Sequence, residues 1–154
     1  MVAGLTHANT PPYVGFMDAD GSTTVPEMRH LFAALIDADG GAIGSRWIKG
    51  ACVPVRQSMG RQVQSRLFNL FVRLFFALPY QDTQCGGAKV FRTAAVQAVL
   101  PSVQSPGGFE FDVELLWQMR RQGGFVVTEV PIHWEDQPDS RVGGTTGFAM
   151  LKGS

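Results

Sequence analysis

The stretch Tyr13-Val14-Gly15-Phe16-Met17-Asp18-Ala19-Asp20-Gly21 runs an apolar strand straight into two carboxylates separated by one residue. No other segment limits the folds open to this chain as much. A buried strand that ends in Asp-x-Asp presents oxygen ligands at its tip. Mg²⁺ and Mn²⁺ prefer such ligands, and are usually held by one or two protein carboxylates together with the phosphates of a substrate. The pattern therefore suggests a metal-bound diphosphate, with Asp18 and Asp20 as the metal ligands. Asp and Gly also end strands as turn formers, so the motif alone leaves a plain turn equally open.

The rest of the chain supplies the sheet that such a strand needs. Thr24 followed three residues later by Glu27 reads as a capping box, Pro26 suits a first turn, and the spacing predicts a helix from Val25 to Asp37. Gly40-Gly41 breaks it. Ala42 to Arg46 reads as a strand, and a loop rich in Gly and Pro follows through Pro54. A long helix is expected from Ser58 to Leu78, carrying Arg61, Arg66 and Arg73 among Val63, Leu67, Leu70, Phe71 and Leu74, and Pro79 stops it. The polar, turn-like segment Asp82-Thr83-Gln84-Cys85-Gly86-Gly87 leads to a strand at Ala88 to Phe91 and a short helix after Arg92. Helical character returns from Phe109 to Gln122 and ends at Gly123-Gly124, and Phe125 to Val130 is rich in β-formers up to Pro131. Alternation of this kind specifies an α/β sheet with flanking helices.

Composition narrows the function classes. The 154 residues suffice for one core, so a single domain is the expectation. With 13 basic and 13 acidic side chains the formal charge is zero, which gives no general attraction to nucleic acid. An anion must then be held by local sites. Cys52 and Cys85 are too few for a disulfide scaffold, and a reduced cytoplasmic setting is the plainer reading. The longest apolar run, Leu67 to Leu78, is interrupted by Asn69 and Arg73 and is too short to span a bilayer.

Polar residues gather at strand ends. In open α/β sheets ligands bind beyond the carboxyl ends of strands, and Arg46 closes its strand as Asp18 closes another. There it offers a forked donor to phosphate oxygens, though a snorkelling surface arginine reads the same way. Asp82 and Gln84 sit in a glycine-framed loop after the Pro79-Tyr80 turn. Glu110 and Glu114 lie four residues apart near a helix N-terminus, where the dipole favours them, so a structural role is as open as a functional one. His7, His30 and His133 show no zinc spacing.

Taken in order, MDADG, GSR, FNLFVRLFFALPYQDTQCGGAKVFR, FEFDVELLW and VPIHWEDQPDSRV resemble the family 2 glycosyltransferases that load a sugar onto a polyprenyl phosphate, most closely dolichyl-phosphate glucosyltransferases and their bacterial undecaprenyl-phosphate relatives. The resemblance covers Tyr13 to Val142. DTQCG followed by FDVELL is far more specific than Asp-x-Asp. It implies the C-terminal part of a GT-A (Rossmann-like) fold with a mixed sheet. It also implies an inverting, Mg²⁺- or Mn²⁺-dependent transfer of a hexose from a nucleotide sugar, usually UDP-glucose, to a lipid phosphate at the cytosolic membrane face. On that resemblance Asp18 and Asp20 match the metal-diphosphate motif, Arg46 and Arg61 phosphate-binding arginines, and Asp82 the proposed catalytic carboxylate. Gln84 falls near the sugar or acceptor, and Asp112 and Glu114 fall in a string tied to sugar recognition or support of the site. Arg141, in an Asp-Ser-Arg where relatives have Gly-Ser-Lys or Gly-Ser-Arg, corresponds to an acceptor-phosphate contact. Gly87 stands where many relatives have Phe, which implies a small loss of packing. The Arg61–Leu78 helix is expected either to face lipid with its Phe and Leu residues or to be a core helix with solvated arginines.

Family members carry a strand-helix-strand nucleotide-binding half before the Asp-x-Asp strand, whereas here 17 residues precede Asp18. The expectation is thus a partial GT-A domain over residues 1–154, with residues 1–12 and 143–154 poorly ordered, inactive alone, and inclined to self-associate through a sheet edge. Two rival readings are a non-catalytic remnant that binds metal, lipid phosphate or a partner, and a haloacid-dehalogenase-like phosphohydrolase. Phe16 to Thr23 fits the second, with Asp18 as nucleophile and Asp20 as acid/base, but no matching acidic loop follows downstream.

Overall fold

A computed structural model describes residues 11–19, 21–53, 59–83, 87–105 and 109–135. Strand β1 (Tyr13–Phe16), helix α1 (Val25–Ala34), strand β2 (Gly41–Ser45) and helix α2 (Met59–Phe76) come first. Strand β3 (Lys89–Arg92), helix α3 (Thr93–Val99), helix α4 (Phe109–Gln118) and strand β4 (Val127–Pro131) complete the order. The alternation expected from the sequence is present, and the fold is α/β with a mixed sheet and flanking helices.

Two local expectations are corrected. Thr24 occupies the N-cap of α1 in an extended conformation, but its side chain makes no capping hydrogen bond. Pro26 in the first turn has no N–H to give, which removes one of the donors a cap can satisfy. Glu27 lies 3.9 Å from His30 Nδ1 instead of closing a capping box. Helix α1 also stops at Ala34 and not at Asp37. Arg92 reaches across from β3 and donates from Nη2 to the Leu35 carbonyl at 2.7 Å and from Nε to the Ala38 carbonyl at 3.0 Å. Carbonyls that helix continuation would have satisfied are met by a cation at the negative end of the helix dipole.

The sheet order is β1-β3-β2-β4. β3 runs antiparallel to β1 and β2, while β2 and β4 are parallel. Phe16 and Ile43 both pair with Lys89, and Ser45 pairs with Pro131. The carboxyl ends of β1, β2 and β4 and the amino end of β3 therefore share one margin of the sheet, which gathers Asp18, Arg46, Asp82 and Gly87. β2 is buried at every position, as a central strand covered on both faces must be. Gly41 in it is required by close approach: a Cβ there would lie 2.3 Å from the Phe91 ring and 2.7 Å from the Val90 carbonyl oxygen.

Alternation along the strands splits the core. Ile43, Phe91 and Val127 face α3 and α4, packing with Val96, Val99, Phe111, Leu115, Leu116 and Met119. Ala42, Val90 and Ile132 face α1, packing with Leu31, Leu35 and Trp134. At the start of the described chain, Pro11 and Pro12 are tied down: their carbonyls accept from the Thr93 hydroxyl at 2.5 Å and the Thr93 N–H at 3.0 Å. The other terminal residues for which disorder is expected, 1–10 and 143–154, lie outside the described residues.

Helix α2 has three faces. Val72 joins the core below, with Phe76 edge-on to Trp117 at 6.0 Å. Gln62, Arg66, Asn69 and Arg73, spaced four, three and four apart, form a polar stripe beside that seam. Met59, Val63, Leu67, Leu70, Phe71, Leu74 and Phe75 lie on the remaining face and are all exposed, Leu74 at 73% and Phe75 at 71%. The core-helix alternative thus holds for one narrow seam alone. An exposed apolar surface of this kind, rimmed by polar residues, is the type that marks an interaction site. No described helix is long and apolar enough to cross a membrane.

Candidate active site

Asp82 is the most constrained of the expected site residues. It is fully buried, and Arg46 grips it with a fork: Nε donates to Oδ2 at 2.8 Å and Nη2 to Oδ1 at 3.0 Å. The Arg46 backbone N–H adds a third bond to Oδ2 at 3.0 Å. Bidentate arginine–carboxylate contacts of this kind are the strong, directional class of hydrogen bond. The arginine that closes β2 and the carboxylate that opens the 82–87 loop, 36 residues apart in the chain, are thus one unit.

The Arg46 guanidinium also lies over two indoles, 5.4 Å from the Trp47 centroid and 5.1 Å from that of Trp134. Arg66 of α2 lies over Trp47 at 4.6 Å. These four side chains and Gln62 line a cavity of about 360 Å³. Two guanidiniums among aromatic faces suit an anion that carries an apolar tail. Trp134 is delivered by an extension of β4, whose Trp134 N–H donates to the Cys52 carbonyl at 2.9 Å while the Cys52 N–H donates to that of Ile132 at 3.0 Å.

Asp18 emerges from β1 toward the same loop. Gly87 shows how closely: a Cβ there would sit 2.8 Å from Thr23 Oγ1 and 3.2 Å from Asp18 Oδ2. The expected loss of packing at Gly87 is therefore corrected, since Thr23 and Asp18 already fill the space a side chain would need. Thr23 Oγ1 is buried with no hydrogen-bond partner among the described residues, so an orphaned oxygen and a carboxylate both lie against Gly87. An all-oxygen donor set fits a hard divalent cation. No cluster of three or more His, Cys, Asp or Glu forms a metal site among the described residues, which do not include Asp20.

The two α4 carboxylates have local partners. Asp112 pairs with Lys89 Nζ at 3.0 Å, and Lys89 is buried in β3 with 1% of its side chain exposed. Glu114 holds the connection before α4: Oε1 accepts from the Gln104 N–H at 2.9 Å, and Oε2 from the Ser105 N–H at 2.8 Å and hydroxyl at 2.5 Å. Partial burial is the largest influence on the Glu114 carboxyl and raises its pKa. The bonds from Ser105, Gln104 and Gln118 together outweigh it and leave the pKa below the ordinary value. A carboxyl more acidic in the folded chain contributes stability that is fully present above its unfolded pKa and is lost as pH falls through the folded one. Glu114→Gln is expected to remove that component, so the drop in urea midpoint on acidification should be shallower than in the parent chain.

Gln84, Asp20, Arg141 and the Arg61 side chain lie outside the described residues. Residues not singled out from sequence also meet the Asp82 loop. Glu129 of β4 accepts from the Gln81 and Asp82 N–H groups at 2.8 and 2.9 Å. Asn69 of α2 donates to the Gln81 carbonyl and accepts from the Thr83 hydroxyl at 2.7 Å and N–H at 3.2 Å. The signal for Asn69 was its place as a lone amide among Phe and Leu. Glu129, on a half-buried strand, gave none.

Comparison with known proteins finds sugar-transferase relatives. No family model matches the chain. It is 34% identical over 131 residues to glycosyltransferase AglD of Haloferax volcanii, covering 82% of this chain and 20% of that protein. It is 31% identical over 124 residues to a polyprenol monophosphomannose synthase of Mycolicibacterium smegmatis, covering 79% of this chain and 44% of that protein. The chain is a homologue of family 2 glycosyltransferases. A Drosophila melanogaster dolichyl-phosphate beta-glucosyltransferase shares 31% over 134 residues, 82% of this chain and 40% of that protein. The chain thus spans less than half the length of each of these relatives.

Proposed function

We propose that this glycosyltransferase homologue serves transfer of a hexose, glucose foremost, from a nucleotide sugar to a polyprenyl phosphate at a membrane surface on the cytosolic side. The observation that carries the reading is Arg46, forked to the buried Asp82 behind it, on the wall of a cavity that it lines with Arg66, Trp47 and Trp134. In the proposal the lipid phosphate enters this cavity, where Arg66 and the outer edge of Arg46 hold its oxygens and the indoles flank the first isoprene units. The exposed half of α2 meets the lipid, with Arg66 and Arg73 on the stripe between apolar face and protein, placed for phosphate headgroups. Basic side chains along the rim favour a lipid surface over a purely apolar partner.

Asp18, with Asp20, would hold Mg²⁺ or Mn²⁺ next to the diphosphate of the donor. When bound, such a cation neutralises the charge that builds on a leaving diphosphate. A phosphate monoester with a second pKa near about 6 is already ionised at neutral pH, so the acceptor scarcely needs deprotonation. Asp82 therefore acts in this proposal by orienting a sugar hydroxyl and stabilising positive charge at the anomeric carbon. Arg46 fixes its direction through the fork. Arg61, Gln84, Asp112 and Arg141 are assigned to substrate contacts by resemblance, while the Glu114 bonds support a structural part. The relatives are named as glycosyltransferases, which favours this reading over hydrolysis with Asp18 as nucleophile.

The test is calorimetric titration with UDP-glucose, GDP-mannose and Mn²⁺, joined to transfer of labelled sugar into organic-extractable lipid from vesicles containing polyprenyl phosphate. Metal-dependent binding that vanishes in Asp18→Ala, together with labelled lipid, is the expected result. Binding without transfer would support the non-catalytic reading. A folded chain that neither binds nucleotide sugar nor labels lipid would refute both.

A further inference from the structure

We infer that Asn69 and Glu129 are positioning residues that hold the 81–83 segment, one from α2 and one from β4, and so set the direction of Asp82. The inference rests on the reading of Asp82 as the functional carboxylate. The segment follows Leu78, two residues past the end of α2, and side chains hold its backbone. Glu129 approaches from β4, and a single oxygen, Oε1, accepts the N–H groups of Gln81 and Asp82 at 2.8 and 2.9 Å. Asn69 approaches from α2, is only 5% exposed, and uses both ends of its amide: Nδ2 donates to the Gln81 carbonyl, and Oδ1 accepts from the N–H and hydroxyl of Thr83. Arg73, one turn further along α2, adds a bond from Nη1 to Gln81 Oε1 at 3.3 Å.

The geometry leaves little freedom. Residues on both sides of Asp82, and its own amide, are fixed before its carboxylate meets Arg46. An amide can satisfy the Gln81 carbonyl and the Thr83 donors at once because it carries donor and acceptor on one planar group. Aspartate at position 69 lacks the donor, and leucine lacks both. A carboxylate accepting two successive N–H groups is charge-assisted on each, which makes the Glu129 side of the clamp the stronger one. The polar stripe of α2 therefore has two tasks: Arg66 at the cavity, and Asn69 with Arg73 at the loop. The helix that presents the apolar face also holds the loop of the proposed catalytic carboxylate.

The experiment is residue-resolved amide hydrogen exchange on the full chain, comparing the parent with Glu129→Ala, Glu129→Gln and Asn69→Ala. In Glu129→Ala the amides of Gln81 and Asp82 are expected to exchange about tenfold faster or more, the loss of two charge-assisted bonds, while Val90 and Phe91 in β3 keep their rates. Glu129→Gln keeps an oxygen at the same place and should restore most of the protection, which a general loosening of the fold would not do. Asn69→Ala should act on Thr83 in the same manner. If it does not fold, the Glu129 pair still decides the matter. Unchanged rates at Gln81 and Asp82 in Glu129→Ala would overturn the clamp. Transfer measured in Asp82→Asn alone and combined with Glu129→Ala separates the two readings: a positioning role makes the second substitution silent once Asp82 is gone. Faster exchange together with full transfer in Asp82→Asn would leave the clamp standing and remove Asp82 from the reacting groups.

Discussion

Asp82→Asn is expected to lower sugar transfer by about a hundredfold or more and to cost roughly 3 kcal/mol of stability. The two effects have different causes. Transfer falls because the carboxylate that would face developing positive charge becomes a neutral amide, and single groups in such roles contribute factors of about a hundred to ten thousand. Stability falls because Asp82 is fully buried and forked to Arg46, and removing one member of a buried pair leaves the other poorly compensated, at roughly 3–5 kcal/mol. Arg46 keeps 11% of its side chain exposed, which places the expected cost at the lower end. Denaturant midpoints and transfer rates on the same preparations distinguish the contributions. Arg46→Lys is the informative companion, since it keeps the charge and loses the fork. If transfer in Asp82→Asn follows only the folded fraction, the Arg46–Asp82 pair is a structural bolt and the proposed catalysis is wrong.

Replacing Leu74 and Phe75 by serine should weaken binding to phospholipid vesicles roughly tenfold for each side chain, near the lower end of what burying a large apolar group contributes. Both are more than two-thirds exposed, so neither substitution opens a cavity, and the thermal midpoint should hold or rise. Co-sedimentation with vesicles of neutral and anionic lipid reads the effect. A stronger response to anionic lipid would add weight to the part given to Arg66 and Arg73 at the rim. A variant that binds vesicles like the parent but changes from dimer to monomer in sedimentation would show that a second copy, and not lipid, covers this face of α2.

These two expectations draw on residues that the sequence displayed unequally. Asp82 and Arg46 were visible as separate polar residues at strand and loop ends, because apolar runs that stop at charged residues reveal where a sheet presents its margin. That they bind each other was not visible. Either residue alone fits a phosphate site or a solvated surface, and only the tertiary fold, with β3 antiparallel to β2, sets Asp82 at the end of β2. Lys89 shows the same limit: a lysine within Ala88-Lys89-Val90-Phe91 breaks an apolar strand in plain sight, yet its pairing with Asp112 depends on how α4 crosses the sheet. The capping box at Thr24 and Glu27 failed for a nearby reason. The pattern was present, but Pro26 took away one of the N–H donors a cap can satisfy, and Glu27 lies toward His30 instead.

The order of strands and helices, the Gly and Pro stops and the amphipathic spacing of α2 were set by the sequence alone, because they depend on local backbone preferences and on the 2.0- and 3.6-residue periods. The family was legible as well, through strings that recur in order. Tertiary structure decided which charges neutralise one another, which face of α2 stays uncovered, and that Glu129 and Asn69 meet the same loop. Those outcomes depend on contacts between residues up to 48 positions apart, which no local pattern encodes.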